Sequence, residues 1–291
     1  MFEEILYAHL IECEDLTKSL TTYNGEPAIF NQTAPDDMDD LWGGTQYGRV
    51  IFFANMQADA ERQISGTLGI DLQVEDATNI ERLAQTIQNE VDSHFFTSET
   101  QSIYVKWSST RYYDVQEKKL TVASLVFSLI AFPNQLTSEP DPIRLMNKWV
   151  RSIMPNVKLI GYDTDLPSVW KVTEDMPAIY WRTAQVYPCK RIPSMYAGDW
   201  YTAQMYAHIL TTDISVANAL AKFMCQALNQ KKVLRFDDDT CMRIDNNNQV
   251  QPGADELRIG QLSVEGDYCI LRIEPDTELL KNIVITEKGL E

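Results

Sequence analysis

The sequence predicts an α+β fold made of two tandem copies of one small unit, each a small antiparallel sheet packed against two helices. Three observations lead there. The chain has 291 residues, which suits two domains of about 100–200 residues. Hydrophobic residues at 44% and charged residues at 23% are ordinary globular usage, so both copies have enough apolar side chain for a core. The apolar patterns of the first half then return, in the same order, in the second.

In the first half, Phe2, Ile5, Leu6, Leu10, Leu16 and Leu20 recur at helix-like intervals, and Asn24-Gly25 is the expected stop. A short strand over residues 27–32 leads through Thr33-Ala34-Pro35 into an acidic loop, Asp36-Asp37-Met38-Asp39-Asp40. Residues 48–55 (GRVIFFAN) are rich in β-branched and aromatic side chains, and residues 66–74 (GTLGIDLQV) alternate Leu68, Ile70, Leu72 and Val74 on one face; both read as strands. Residues 76–96 place Ile80, Leu83, Ala84, Ile87, Val91 and Phe95 on one helical stripe. Residues 103–107 and two segments between 111 and 132 complete the unit as strands, the apolar run 120–132 reading as a buried strand pair or ribbon. Residues 133–142 are the linker.

The second half follows the same order. Residues 143–154 form a helix with Leu145, Met146, Trp149, Val150 and Ile153 inward, stopped by Pro155-Asn156. Residues 157–162 are a strand, 177–186 match the GRVIFFAN strand, 200–210 match GTLGIDLQV, and 213–229 match the second helix. A final pair of strands is expected from 254–264 and 268–273, turning at Glu265-Gly266-Asp267. The expected domains are therefore residues 1–135 and 142–275, with 276–291 as a tail in which Ile283-Val284-Ile285 could add an edge strand.

The net charge is −17, and it is unevenly spread: residues 1–140 hold 8 Lys+Arg against 22 Asp+Glu (−14), leaving 17 against 20 (−3). Such a field repels phosphate backbones, which argues against a grip on nucleic acid and suits a wall that DNA passes without sticking; plain solubility is the bland alternative. No apolar run approaches the roughly 18 residues of a membrane span. The acidic start, Met1-Phe2-Glu3-Glu4, is unlike a secretory signal, so the chain is expected in the cytoplasm where it is made. Five widely spaced cysteines (Cys13, Cys189, Cys225, Cys241, Cys269) suit neither a disulfide framework nor a metal site, and are expected reduced and mostly buried.

No catalytic, cofactor-binding or metal-binding residue emerges. His9, His94 and His208 have no His, Cys or Glu at zinc-like spacing, and there is no phosphate-binding glycine loop or G-x-S-x-G elbow. The cluster Asp237-Asp238-Asp239 with Asp245 reads as solvated turns, because it lacks the glycine and distal glutamate of a calcium loop. The loop of Asp36, Asp37, Asp39 and Asp40 is different, because Leu41-Trp42 follows at once. An aromatic anchor beside charge suits a protein interface; a Trp tucked onto its own core is the other reading. Aromatic neighbours in one strand, Ile179-Tyr180-Trp181, must point to opposite faces, so some rings face away from the helices. Packing between the halves would cover several, and a neighbouring subunit the rest.

The order of helix, short strand, Ala34-Pro35-Asp36-Asp37 step, VIFF strand, GTLGIDLQV strand and the helix DATNIERLAQTIQNEV resembles the tail-terminator and neck (tail-completion) proteins of tailed bacteriophages. The resemblance covers residues 1–135 and, more faintly, 142–275. It implies a tail-terminator-like α+β domain, no catalytic residues, and a homo-oligomeric ring of six that caps the tail tube and receives the head connector. Its expected partners are the tail-tube protein, the neck or head-connector protein and, through an outer copy, the tail sheath, with DNA only in passage and no membrane. Assembly in the host cytoplasm would precede residence in the virion. The doubling departs from the family's single domain: six chains would give twelve domains in two layers, three a pseudo-hexamer, and six is favoured. The alternatives are another virion part (tail-tube, baseplate, head-completion or contractile injection-system cap subunit) and, from a different class, an enzyme acting on a small metabolite with a metal held by the acidic clusters.

Overall fold

The computed structural model describes residues 2–59, 63–75, 77–134, 139–192, 198–252 and 260–272. The first part of the chain runs α1 (Phe2–Glu12), α2 (Glu14–Thr17), β1 (Thr22–Tyr23), β2 (Glu26–Pro27), β3 (Ile29–Asn31), β4 (Arg49–Asp59), β5 (Gln63–Val74), α3 (Ile80–Val91), β6 (His94–Thr97), β7 (Gln101–Val115) and β8 (Leu120–Pro133). The rest runs α4 (Pro142–Ile153), β9 (Lys158–Leu159), β10 (Val169–Lys171), β11 (Ala178–Pro188), β12 (Gly198–Leu210), α5 (Ile214–Lys231), β13 (Val233–Arg235), β14 (Cys241–Ile244), β15 (Gln249–Val250) and β16 (Leu262–Leu271). The class is α+β.

Two sheets dominate. The first has the order β10-β6-β7-β8-β5-β4-β3, the second β13-β14-β16-β12-β11-β9 with β15 also on β16. Without β10, the first order matches the second element by element, β6 with β13 through β3 with β9. Both sheets are mixed, not purely antiparallel as expected, because β3 pairs parallel to β4 and β9 parallel to β11. The parallel end strand arises where the chain comes off the first helix and enters the sheet beside a strand running the same way.

Each sheet buries one face under helices. Leu68, Ile70 and Leu72 of β5 and Leu125, Phe127 and Leu129 of β8 alternate toward α1–α3, which contribute Leu6, Leu10, Leu16, Leu83 and Ile87 to the same core. In the second unit Ile179 and Trp181 of β11 and Met205, Ala207 and Ile209 of β12 meet Met146 and Val150 of α4 and Ala221, Met224 and Leu228 of α5. A fully buried aliphatic side chain contributes roughly 1.5–3 kcal/mol, so these two layers hold the units together.

The helix-free faces meet each other. Tyr104 and Ile130, which point away from α1–α3, form a third cluster with Phe95, Phe132, Ile160, Trp170, Ala178, Tyr180 and Leu210. Here Tyr180 and Trp181 separate as alternation requires: Tyr180 enters the junction and Trp181 the second core. β10 then adds to the edge of the first sheet, pairing antiparallel with β6, and the Trp170 ring stacks on Phe95 with centroids 4.7 Å apart.

Several boundaries differ from expectation. The first helix breaks at Cys13 and ends at Thr17; Asn24 and Gly25, with φ of 50° and 84°, instead form the tight turn between β1 and β2. The second helix stops at Val91, where Asp92 is extended and Ser93 has φ 61°, so Phe95 lies in β6 and faces the junction. The segments over 103–107 and 111–115 are one strand, β7, bulged between Trp107 and Ser109, and the run 120–132 is the single central strand β8. β16 passes straight through Glu265-Gly266-Asp267 with no turn; a Cβ on Gly266 would meet Met242 Sδ at 2.7 Å, so that glycine serves close packing across the sheet. The partner of β16 in the matching hairpin is β14. Residues 253–259 of the expected 254–264 strand, the segment Ile283-Val284-Ile285, and linker residues 135–138 lie outside the described residues. Of the cysteines only Cys189 is buried; the other four are half-buried on strands and helix flanks.

Candidate interface at the acidic loop

The loop from Asp36 to Trp42 follows β3 and is folded onto the β1–β2 hairpin. Asn24 N–H donates to Leu41 O at 2.9 Å and Gly43 N–H to Thr22 O at 2.9 Å, and Tyr23 and Trp42 form an isolated antiparallel bridge. The aspartates shape the turn locally, as short acceptor side chains do: Met38 N–H donates to Asp36 Oδ1 at 2.9 Å and Leu41 N–H to Asp39 Oδ1 at 3.0 Å.

The predicted site residues divide into two groups. Asp37, Asp39 and Trp42 turn inward. Asp37 accepts from Lys118 Nζ at 2.7 Å, Arg49 Nη1 at 2.8 Å and the Tyr47 hydroxyl at 2.9 Å. The hydrogen bond from Lys118 comes first, with Tyr47 and Arg49 adding to it, in holding the Asp37 carboxyl down at about 2 against the cost of burial. Asp39 accepts from the Tyr23 hydroxyl at 2.9 Å, which raises the pKa of that phenol. Trp42 packs edge-on against Tyr23 and Phe30, donates Nε1–H to Asp36 O at 3.0 Å and lies beneath the Arg49 guanidinium. Trp42 is thus half-buried against the hairpin and β3.

Asp36, Asp40 and Leu41 face outward, joined by Met38, which sequence reasoning passed over; Met38 is 87% and Leu41 50% exposed. The surface of the loop thus presents two apolar side chains and two carboxylates. The anchors Arg49, Tyr47 and Lys118 were not singled out either. Lys118 sits in the β7–β8 turn, 81 residues on from Asp37, and only the sheet brings the two together.

Elsewhere, His9 and His94 come together with ring centroids 5.7 Å apart, beside a cavity of about 490 Å³ lined also by Glu4, Glu12 and Trp170. His94 donates Nδ1–H to Asp92 O at 2.9 Å, and burial lowers its pKa to about 4. His208 lies in the other unit and accepts from Arg182 Nε at 2.9 Å. Asp238 caps the turn between β13 and β14 through Thr240 N–H, while Asp237 pairs with Lys148. Among the described residues no group of three or more His, Cys, Asp or Glu is placed to hold a metal ion, and no helix is long and apolar enough to cross a membrane.

Neither a protein-family model nor a curated protein matches the sequence. Among solved structures, the chain is similar to one from the virion of a native gene transfer agent (GTA) particle, at 11% identity and a TM-score of 0.34, over 43% of this chain and 90% of that one.

Proposed function

We propose that this protein is a structural subunit of a phage-type virion, a tandem duplication of one helix-and-sheet unit that closes into a ring at the end of the tail tube and joins it to the neck. The observation that carries the reading is the pair of sheets with one strand order, each leaving long strands unpaired at its edges. No strand among the described residues pairs with 54–59 of β4 or with 109–115 of β7 on their outer sides. Unpaired edges and exposed rings such as Phe53, Tyr112 and Tyr113 are the kind of surface that closure with neighbours buries.

Six copies would place the acidic first unit where its field keeps passing DNA from adhering. Light scattering and electron microscopy of the purified protein, alone and with isolated tail tubes, test the reading. Rings, or monomers that cap tubes, are the expected result; a monomer that engages no tube would sink it. The competing metal-dependent enzyme predicts that calcium, magnesium or manganese raises the melting temperature, as a specific ligand must.

A further inference from the structure

α5 carries more apolar surface than its place in the fold requires. Its core stripe is Ala217, Ala221, Met224 and Leu228, all buried. One residue back, Val216, Leu220, Phe223 and Ala227 repeat the same spacing, giving a second apolar stripe along one side of the helix. Leu220 and Ala227 of that stripe are half-buried against the unit's own core, whereas Phe223 is 47% exposed and Ile214 at the helix start is 58% exposed. The matching helix α3 supplies an internal control. Aligning its buried Ile80, Ala84, Ile87 and Val91 with the core stripe of α5 puts the buried Leu83 where α5 has Leu220, and Thr86 where it has Phe223. The fold is satisfied by a polar residue at that position, so the exposed Phe223 ring answers to something outside the unit.

Charge identifies the occupant. The charged residues of α5 and its C-cap are Lys222, Lys231 and Lys232, with Lys231 nearest the stripe, and they take part in no ion pair among the described residues. The outward face of the acidic loop offers the complement, the apolar Met38 and Leu41 together with Asp36 and Asp40. The halves differ in the same sense: residues 1–140 carry −14, whereas residues 142–275 balance 15 Lys+Arg against 15 Asp+Glu. One chain cannot make this contact with itself, because the helix-free faces of the two sheets meet and α5 lies on the far side of the second unit.

We propose that α5 is the docking site for the acidic loop of a second copy of this chain, Met38 and Leu41 packing on Phe223 and Leu220 with Asp36 and Asp40 toward the lysines. The contact is head to tail, so repetition yields a ring or a filament instead of a closed pair. It rests on the assembly reading above and names the surfaces that reading leaves open.

The test uses the full chain. Phe223→Asp and the double variant Met38→Asp/Leu41→Asp change exposed positions, and melting curves confirm that both fold. Association is followed by sedimentation and light scattering, alone and on tail tubes. Each variant alone is expected to lose the assembled species. Mixed, they are expected to form a dimer and nothing larger, because each keeps the half of the contact that the other lacks. Asp36→Lys/Asp40→Lys should weaken association at low salt, and adding Lys222→Glu/Lys231→Glu/Lys232→Glu in the same chain should restore it. Variants that assemble as the wild type does, or a mixture that yields no dimer, overturn the docking while the assembly reading stands. A wild type that neither self-associates nor joins tubes overturns both.

Discussion

Arg49 is buried, with its guanidinium fixed between Asp37, the side chain of Gln73 and the rings of Tyr47 and Trp42. Removing Asp37 leaves that charge buried without its counter-ion, which typically costs about 3–5 kcal/mol. Lys118 contributes first to the low pKa of Asp37, yet half of its side chain is in water, so its loss should cost far less than the loss of Asp37. Urea unfolding of Asp37→Ala and Lys118→Ala should therefore separate clearly, and equal losses would place the anchor in the wrong partner. The Asp37 contribution is complete above the ordinary carboxylate pKa near 4 and is lost as pH falls toward about 2. His94 acts over a higher range. Its native pKa is about 4 because it is buried, so below about 6.5 the unfolded chain takes up a proton that the native state refuses. Stability should fall by on the order of 3 kcal/mol between those limits, and His94→Gln should remove that slope.

At the scale of elements, the helix starts differ in a way that can be measured. Asp141 accepts from Ile143 N–H at 2.9 Å ahead of α4, and Asp213 accepts from Ser215 N–H at 2.7 Å ahead of α5, whereas Asn79 makes no side-chain cap on α3. Asp141→Ala should cost about 1 kcal/mol by thermal melts, Asp213→Ala should lower the melting temperature in the same sense, and Asn79→Ala should cost only a few tenths. The helical stripes of α3 and α4 and the alternation of β5 were legible in the sequence, because periodicity acts within a dozen residues. The misplacements came where tertiary pairing decides. Phe95 continued a helical spacing but is claimed by β6, and Gly266 looked like a turn until its neighbour Met242 is seen to need the space. The candidate site was half legible: four acids and a Trp announced a special loop, but nothing local shows that Asp37 and Trp42 turn inward while Met38 and Leu41 turn out.

The whole molecule depends on how firmly its two units are joined. The junction is a compact aromatic cluster, sealed by β10, whose Trp170 lies on Phe95 and whose backbone extends the first sheet. The Tyr180 hydroxyl also donates to Pro133 O at 3.2 Å, across the same boundary. Truncating a buried Trp typically costs about 3–5 kcal/mol, and here the loss falls on the junction and spares both cores. Calorimetry should show one transition for the wild type and two for Trp170→Ala, because each unit keeps its own helix-covered core while the coupling between them weakens. Charge tells the two transitions apart. The first unit carries nearly all of the net negative charge, so salt, by screening self-repulsion, should raise its melting temperature and leave that of the nearly neutral second unit almost unmoved. A single transition that persists in Trp170→Ala with unchanged enthalpy would mean that the two sheets fold as one body and that the aromatic cluster does not set their coupling.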